Sequence, residues 1–114
     1  MKKYIVLYHA PAEAAAKMAN VSPEEAQKGM EPWMKWAEKV GNGMVDLGTP
    51  LGNGQKVTKK DVSPSTKEVV GYTILQANSM DDAVEMLKGH PHLDWVEGCS
   101  VEVHEALPLP GMEA

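Results

Sequence analysis

Tyr4-Ile5-Val6-Leu7-Tyr8 are five consecutive apolar residues near the start of a 114-residue chain, and their reading decides the fold. A strand with one wet face alternates apolar with polar residues. A run that is apolar on both parities therefore predicts a strand covered on both faces. Residues 68–77 repeat the property, with Val70, Tyr72 and Ile74 on one parity and Val69, Thr73 and Leu75 on the other. Only two long helices can be read elsewhere, enough to cover one face of one sheet. The other face needs a cover, and a second copy of the chain is the simplest one.

The first helix is announced by Ser22-Pro23-Glu24-Glu25: a capping Ser, a Pro at the first helical position and a Glu completing a capping box. Ala26, Met30, Trp33, Ala37 and Val40 follow at helical spacing with Met34 on the flank. Glu24–Lys28 and Glu31–Lys35 are i,i+4 pairs on the solvated side, and Gly41-Asn42-Gly43 is the stop. Pro32 lies inside this pattern and predicts a kink or break near Gly29, either bending the helix around the sheet or widening its backbone beside a pocket. Ser79-Met80-Asp81-Asp82 starts the second helix, whose stripe is Met80, Ala83, Val84 and Leu87 and whose end is Gly89 and Pro91.

Residues 3–9, 44–47, 68–77 and 99–104 read as strands. The last alternates: Cys99, Val101 and Val103 on one side, Ser100, Glu102 and His104 on the other. Residues 51–67 are a polar loop with room for a small hairpin around 55–58, and residues 14–18 suit a helical turn. The tail from Leu107 to Met112 is apolar and rich in proline, suited to packing on a neighbour. The order βαββαβ predicts one α+β domain over residues 1–114, a ferredoxin-like antiparallel sheet with two helices on one face. In that topology the first and third strands are central, which agrees with their apolar character on both parities.

The chain carries a formal charge of −5 with its 11 cationic residues dispersed, so no nucleic-acid or anionic-membrane partner is expected. Phe is absent and Met reaches 8, so methionines fill space that aromatics fill elsewhere. Cys99 is the lone cysteine, which excludes an internal disulfide and fits a reducing, cytoplasmic setting. Lys2-Lys3 and the apolar run after it are too short for an export signal, and no stretch approaches the ~20 apolar residues of a membrane span.

With these elements placed, the chain resembles the YCII-related family of dimeric α/β barrels. The likeness rests on the Tyr4–Tyr8 strand, the Ser22-Pro-Glu-Glu helix with Trp33 and Trp36, Met44-Val-Asp-Leu-Gly-Thr-Pro50, Gly71-Tyr72 and Ser100-Val-Glu-Val103, in order along nearly the whole chain. It implies a homodimer with a small-molecule pocket. In some members a His of the first helix and an Asp after the second helix are associated with acid–base chemistry. Here the first helix holds Pro32-Trp33 and no His, and the later turn reads Gly89-His90-Pro91-His92, so that pair does not transfer.

The residues themselves nominate other groups. His9 ends the first strand on the parity of Ile5 and Leu7, either bonded to backbone or aimed into a pocket with a shifted pKa. Asp46 opposes Val45 and Leu47 and is either a buried general base or a charge guarding an exposed edge. His90 and His92 follow a helix C-terminus, where the dipole favours imidazolium. As a metal arm they would need His9, Glu102 or His104 as a third ligand, and no metal or other cofactor is expected. Glu102 and His104 read as a surface or dimer-contact pair. Trp33, Met34 and Tyr72 are candidate ligand contacts. The expected activity is acid–base or hydrogen-bonding chemistry on a small molecule, through His9, Asp46, His90 and His92. The alternative is a non-catalytic ligand-binding or regulatory module.

Overall fold

A computed structural model describes residues 1–11, 22–65, 69–95 and 97–111; the turn expected at 14–18, Glu68 and Met112 lie outside them. The elements are β1 (Lys2–His9), α1 (Pro23–Val40), β2 (Met44–Asp46), β3 (Gln55–Val57), β4 (Val62–Pro64), β5 (Val69–Ala77), α2 (Met80–Leu87) and β6 (Ser100–Glu105). The main sheet has the order β2-β5-β1-β6 with every neighbouring pair antiparallel. The fold is α+β, and this topology is compatible with a ferredoxin-like arrangement, with β1 and β5 central. The polar loop does carry a hairpin, β3 paired with β4 as a separate two-stranded ribbon.

Local chemistry sets the helix ends. The Glu25 N–H donates to Ser22 Oγ at 3.2 Å, Pro23 occupies the first turn, and Gly41 caps the C-terminus at φ 60°. Asp82 N–H donates to Ser79 Oγ at 3.2 Å at the start of α2. Contrary to a break near Gly29, α1 runs unbroken through Pro32 for 18 residues. After β2 the chain closes on β5 at Gly48 (φ 81°), where a Cβ would stand 1.8 Å from the Tyr72 carbonyl oxygen. Only glycine fits there.

The core lies on one side of the sheet. Tyr4, Val6 and Tyr8 of β1 meet Leu75 and Ala77 of β5, Trp36 of α1, and Ala83 and Leu87 of α2. These side chains fill the layer between sheet and helices. The predicted helical stripes are only partly buried: Ala26, Met30, Met80 and Val84 are exposed, and the packing falls to Trp33, Trp36, Ala37 and Val40 in the C-terminal half of α1. Trp36, one position before the stripe, is the residue α1 buries.

Among the described residues no helix covers the opposite face of the sheet. That face carries Ile5 (39% exposed), Leu7, Tyr72 and the cross-strand partner of Ile5, Ile74. The protomer measures 43 × 43 × 22 Å.

Candidate functional site

Two clusters of polar side chains flank the central strands, one beneath the helices and one on the open face. Beneath the helices, Tyr8 Oη lies 2.6 Å from Thr73 Oγ1 and 3.1 Å from His90 Nε2, and Thr73 Oγ1 donates to the Leu47 carbonyl at 2.7 Å. The His92 N–H donates to His90 Nδ1 at 3.0 Å. That bond fixes every proton in the chain. With Nδ1 an acceptor, His90 is neutral and carries its proton on Nε2. Nε2–H donates to Tyr8, the Tyr8 hydroxyl donates to Thr73, and Thr73 donates to Leu47. His92 Nε2 donates in turn to the His9 carbonyl at 2.8 Å.

Aromatic rings seal this chain. Trp33 stands edge-on to Tyr8 at 4.9 Å and to His90 at 4.5 Å, and Trp36 lies 4.2 Å from His90. Tyr8, Thr73, His90 and His92 are all buried. Burial pushes the Tyr8 hydroxyl up to about 12, the Thr73 bond pulling the other way. Burial, assisted by the charge His92 can carry, pushes His90 down to about 4. The imidazolium expected from the helix dipole is thus disfavoured at His90, because a second proton on Nδ1 would meet the His92 N–H. Sealed, and with His90 held neutral, the cluster ties β1 and β5 to the turn after α2.

This has a consequence for acid stability. The unfolded state takes up a proton near pH 6.5 and the folded state only near pH 4. Stability is therefore whole above pH 6.5 and falls as pH drops towards 4. Between pH 7 and 5 the loss assignable to His90 is about 1–2 kcal/mol. Urea midpoints for the wild type and His90→Gln across that range check this; parallel lines for the two proteins would contradict it.

On the open face, His104 Nε2 donates to Glu102 Oε1 at 3.0 Å and His9 Nε2 stands 3.8 Å from Glu102 Oε2. His9 Nε2 is itself buried with no hydrogen-bond partner among the described residues. Asp46, on edge strand β2, is exposed; its Oδ1 accepts from Gly48 N–H at 2.9 Å and its Oδ2 from the Tyr72 hydroxyl at 3.5 Å. Asp46 lies opposite Ile74, which pairs with Ile5. Two strand spacings and four residues along the chain then separate its backbone from that of His9 by roughly 16 Å. Within one protomer His9 and Asp46 do not meet.

The nominated residues therefore divide. His90, His92 and Trp33 belong to the sealed cluster, while His9, Asp46 and Tyr72 border the open face. Met34 is 51% exposed on α1 and joins neither. Beside α1, Pro32, Lys35, Trp36, Lys39, Gly89, Pro91 and Asp94 line an open groove of about 480 Å³. Pro32 thus borders a groove on the outer surface. Among the described residues no group of three or more His, Cys, Asp or Glu could hold a metal ion, and no helix is long and apolar enough to cross a membrane.

Set against known proteins, the chain matches no family model and no curated protein. Function must come from the geometry. Sequence reasoning missed Tyr8 and Thr73 as members of the buried chain. The available signal was polar atoms within strands apolar on both parities, since a buried hydroxyl requires a partner.

Proposed function

We propose that this chain is a YCII-like small-molecule protein, acting in acid–base or hydrogen-bonding chemistry, whose site is the uncovered sheet face closed by a second copy into a dimeric barrel. The observation that carries the reading is an apolar strip of Ile5, Leu7, Tyr72 and Ile74, bordered by His9, Glu102 and His104 at one side and Asp46 at the other. Half-buried apolar residues at the centre of a sheet favour a partner, and a polar rim favours a ligand held in one orientation. The sealed Tyr8–His90 cluster is assigned to holding β1 in place. A non-catalytic binding module uses the same face, so the two readings share one first test. Nuclear magnetic resonance with a set of small apolar and aromatic compounds should move the resonances of Ile5, Leu7, Tyr72 and Ile74. Shifts confined to the groove at Trp36 and Pro91, or no shifts at all, would contradict the assignment.

A further inference from the structure

The tail after β6 and the groove beside α1 each lack a partner. Leu107-Pro108-Leu109-Pro110 follows the last strand, with Leu107 74% and Leu109 63% exposed. Each leucine precedes a proline, which biases its backbone to the extended, polyproline II region. Such a segment has little conformational freedom left to lose on docking. The groove, of about 480 Å³, lies between α1 and the turn after α2. Pro32, Trp36 and Pro91 give it an apolar lining, and Lys35 and Lys39 stand one helical turn apart along it. Neither lysine has an ion-pair partner among the described residues. Asp94 is the one acid in the lining, so the groove is net positive on a chain of formal charge −5.

We propose that this groove receives the Leu107–Pro110 segment of a second copy of the chain. Aromatic-lined grooves recognise proline-rich extended segments, whose apolar side chains seat in them without any change of backbone shape. Four residues of polyproline II span about 12 Å, close to the ~10 Å of α1 between Pro32 and Lys39. The sequence carries Glu113 three residues beyond Pro110, an acid suited to Lys35 or Lys39. The tail of the same chain is badly placed for this groove. Glu105 of β6 stands opposite Tyr4, and the Ala106 N–H donates to the Lys3 carbonyl at 2.9 Å, so the tail leaves beside the start of β1. The groove adjoins His90, whose Nε2 meets Tyr8, about 13 Å further along that strand. Two identical chains can exchange tails reciprocally, each filling the groove of the other, which closes the assembly at two. The contact uses neither the open sheet face nor the sealed cluster, so it stands or falls apart from the proposed function.

The test uses the full-length chain with its lone cysteine replaced, Cys99→Ser. Lys39→Cys puts a thiol on the groove and Leu109→Cys one on the tail, both at exposed positions. Mixed at micromolar concentration and oxidised, the two variants should form a disulfide-linked pair at least about tenfold faster than either variant alone, because docking raises the local thiol concentration. Lys35→Cys in place of Lys39→Cys covers a seating shifted by one helical turn. Adding Leu107→Asp to the tail variant should return the rate to that of the single variants. A chain carrying both thiols should give linked dimers. Equal rates for the mixture and the single variants at both groove positions, or a Leu107→Asp chain that links as fast as its parent, overturn the docking. Linked monomers from the chain with both thiols would put the tail in its own groove and overturn the second copy.

Discussion

Trp36→Ala should be the most damaging single change in the chain, lowering stability by about 3–5 kcal/mol. The residue is 4% exposed and is the one side chain that α1 buries fully among those described. Its ring packs 4.2 Å from His90, and its indole N–H donates to the Met86 carbonyl of α2 at 2.7 Å. Truncation opens a void beneath both helices and strands a backbone acceptor. Trp36→Phe keeps most of the packing and loses the bond alone, a cost of about 1–3 kcal/mol. Domains of this size hold only about 5–15 kcal/mol in total, so the alanine variant approaches the limit of foldedness. Guanidinium titrations followed by circular dichroism, at one protein concentration, measure both. A loss below about 1 kcal/mol for the alanine variant would mean that the packing of α1 on α2 is misplaced.

In the dimer proposed above, Ile74→Lys should separate the two copies while leaving each of them folded. Ile74 lies on a central strand opposite Ile5, facing away from the helices, so a protomer alone gives the lysine water. In a closed barrel the same ammonium would be buried against a second apolar sheet, where an unpaired charge is heavily penalised. The expected weakening of the dimer is about 3 kcal/mol or more, a hundredfold or more in dissociation constant. Sedimentation reads the association and circular dichroism the fold. A variant that associates as tightly as wild type would place the interface elsewhere. A variant that unfolds outright would mean that Ile74 supports the protomer itself.

Much of the architecture is written locally in the chain. Ser22, Pro23, Gly41 and Ser79 act within one turn of their own helices, so their roles can be read without knowing the fold. The parity rule for β1 and β5 is nearly as local, and it ordered the sheet. Burial along α1 was less legible, because helical spacing identifies a stripe but not how far the neighbouring α2 reaches along it. An α2 of 8 residues covers only part of a helix of 18.

The candidate site was the least legible part. Tyr8 meets Thr73 and His90 across 65 and 82 residues of chain. No spacing rule spans such separations. His90 and His92 look like surface histidines at a helix end until the sheet is laid over them. Asp46 depends on whether an edge strand is covered, which one copy of a sequence does not specify. Glu102 was read as a contact residue because alternation on β6 marks a wetter face; its closeness to His9 follows from the β1–β6 register, which local pattern leaves open.

Sedimentation equilibrium of the wild-type protein at micromolar concentration bears most directly on the closed barrel. A mass twice the monomer's 12.4 kDa is the result it requires. A stable species of 12.4 kDa at that concentration would leave Ile5, Leu7, Tyr72 and Ile74 facing water and contradict the enclosed site.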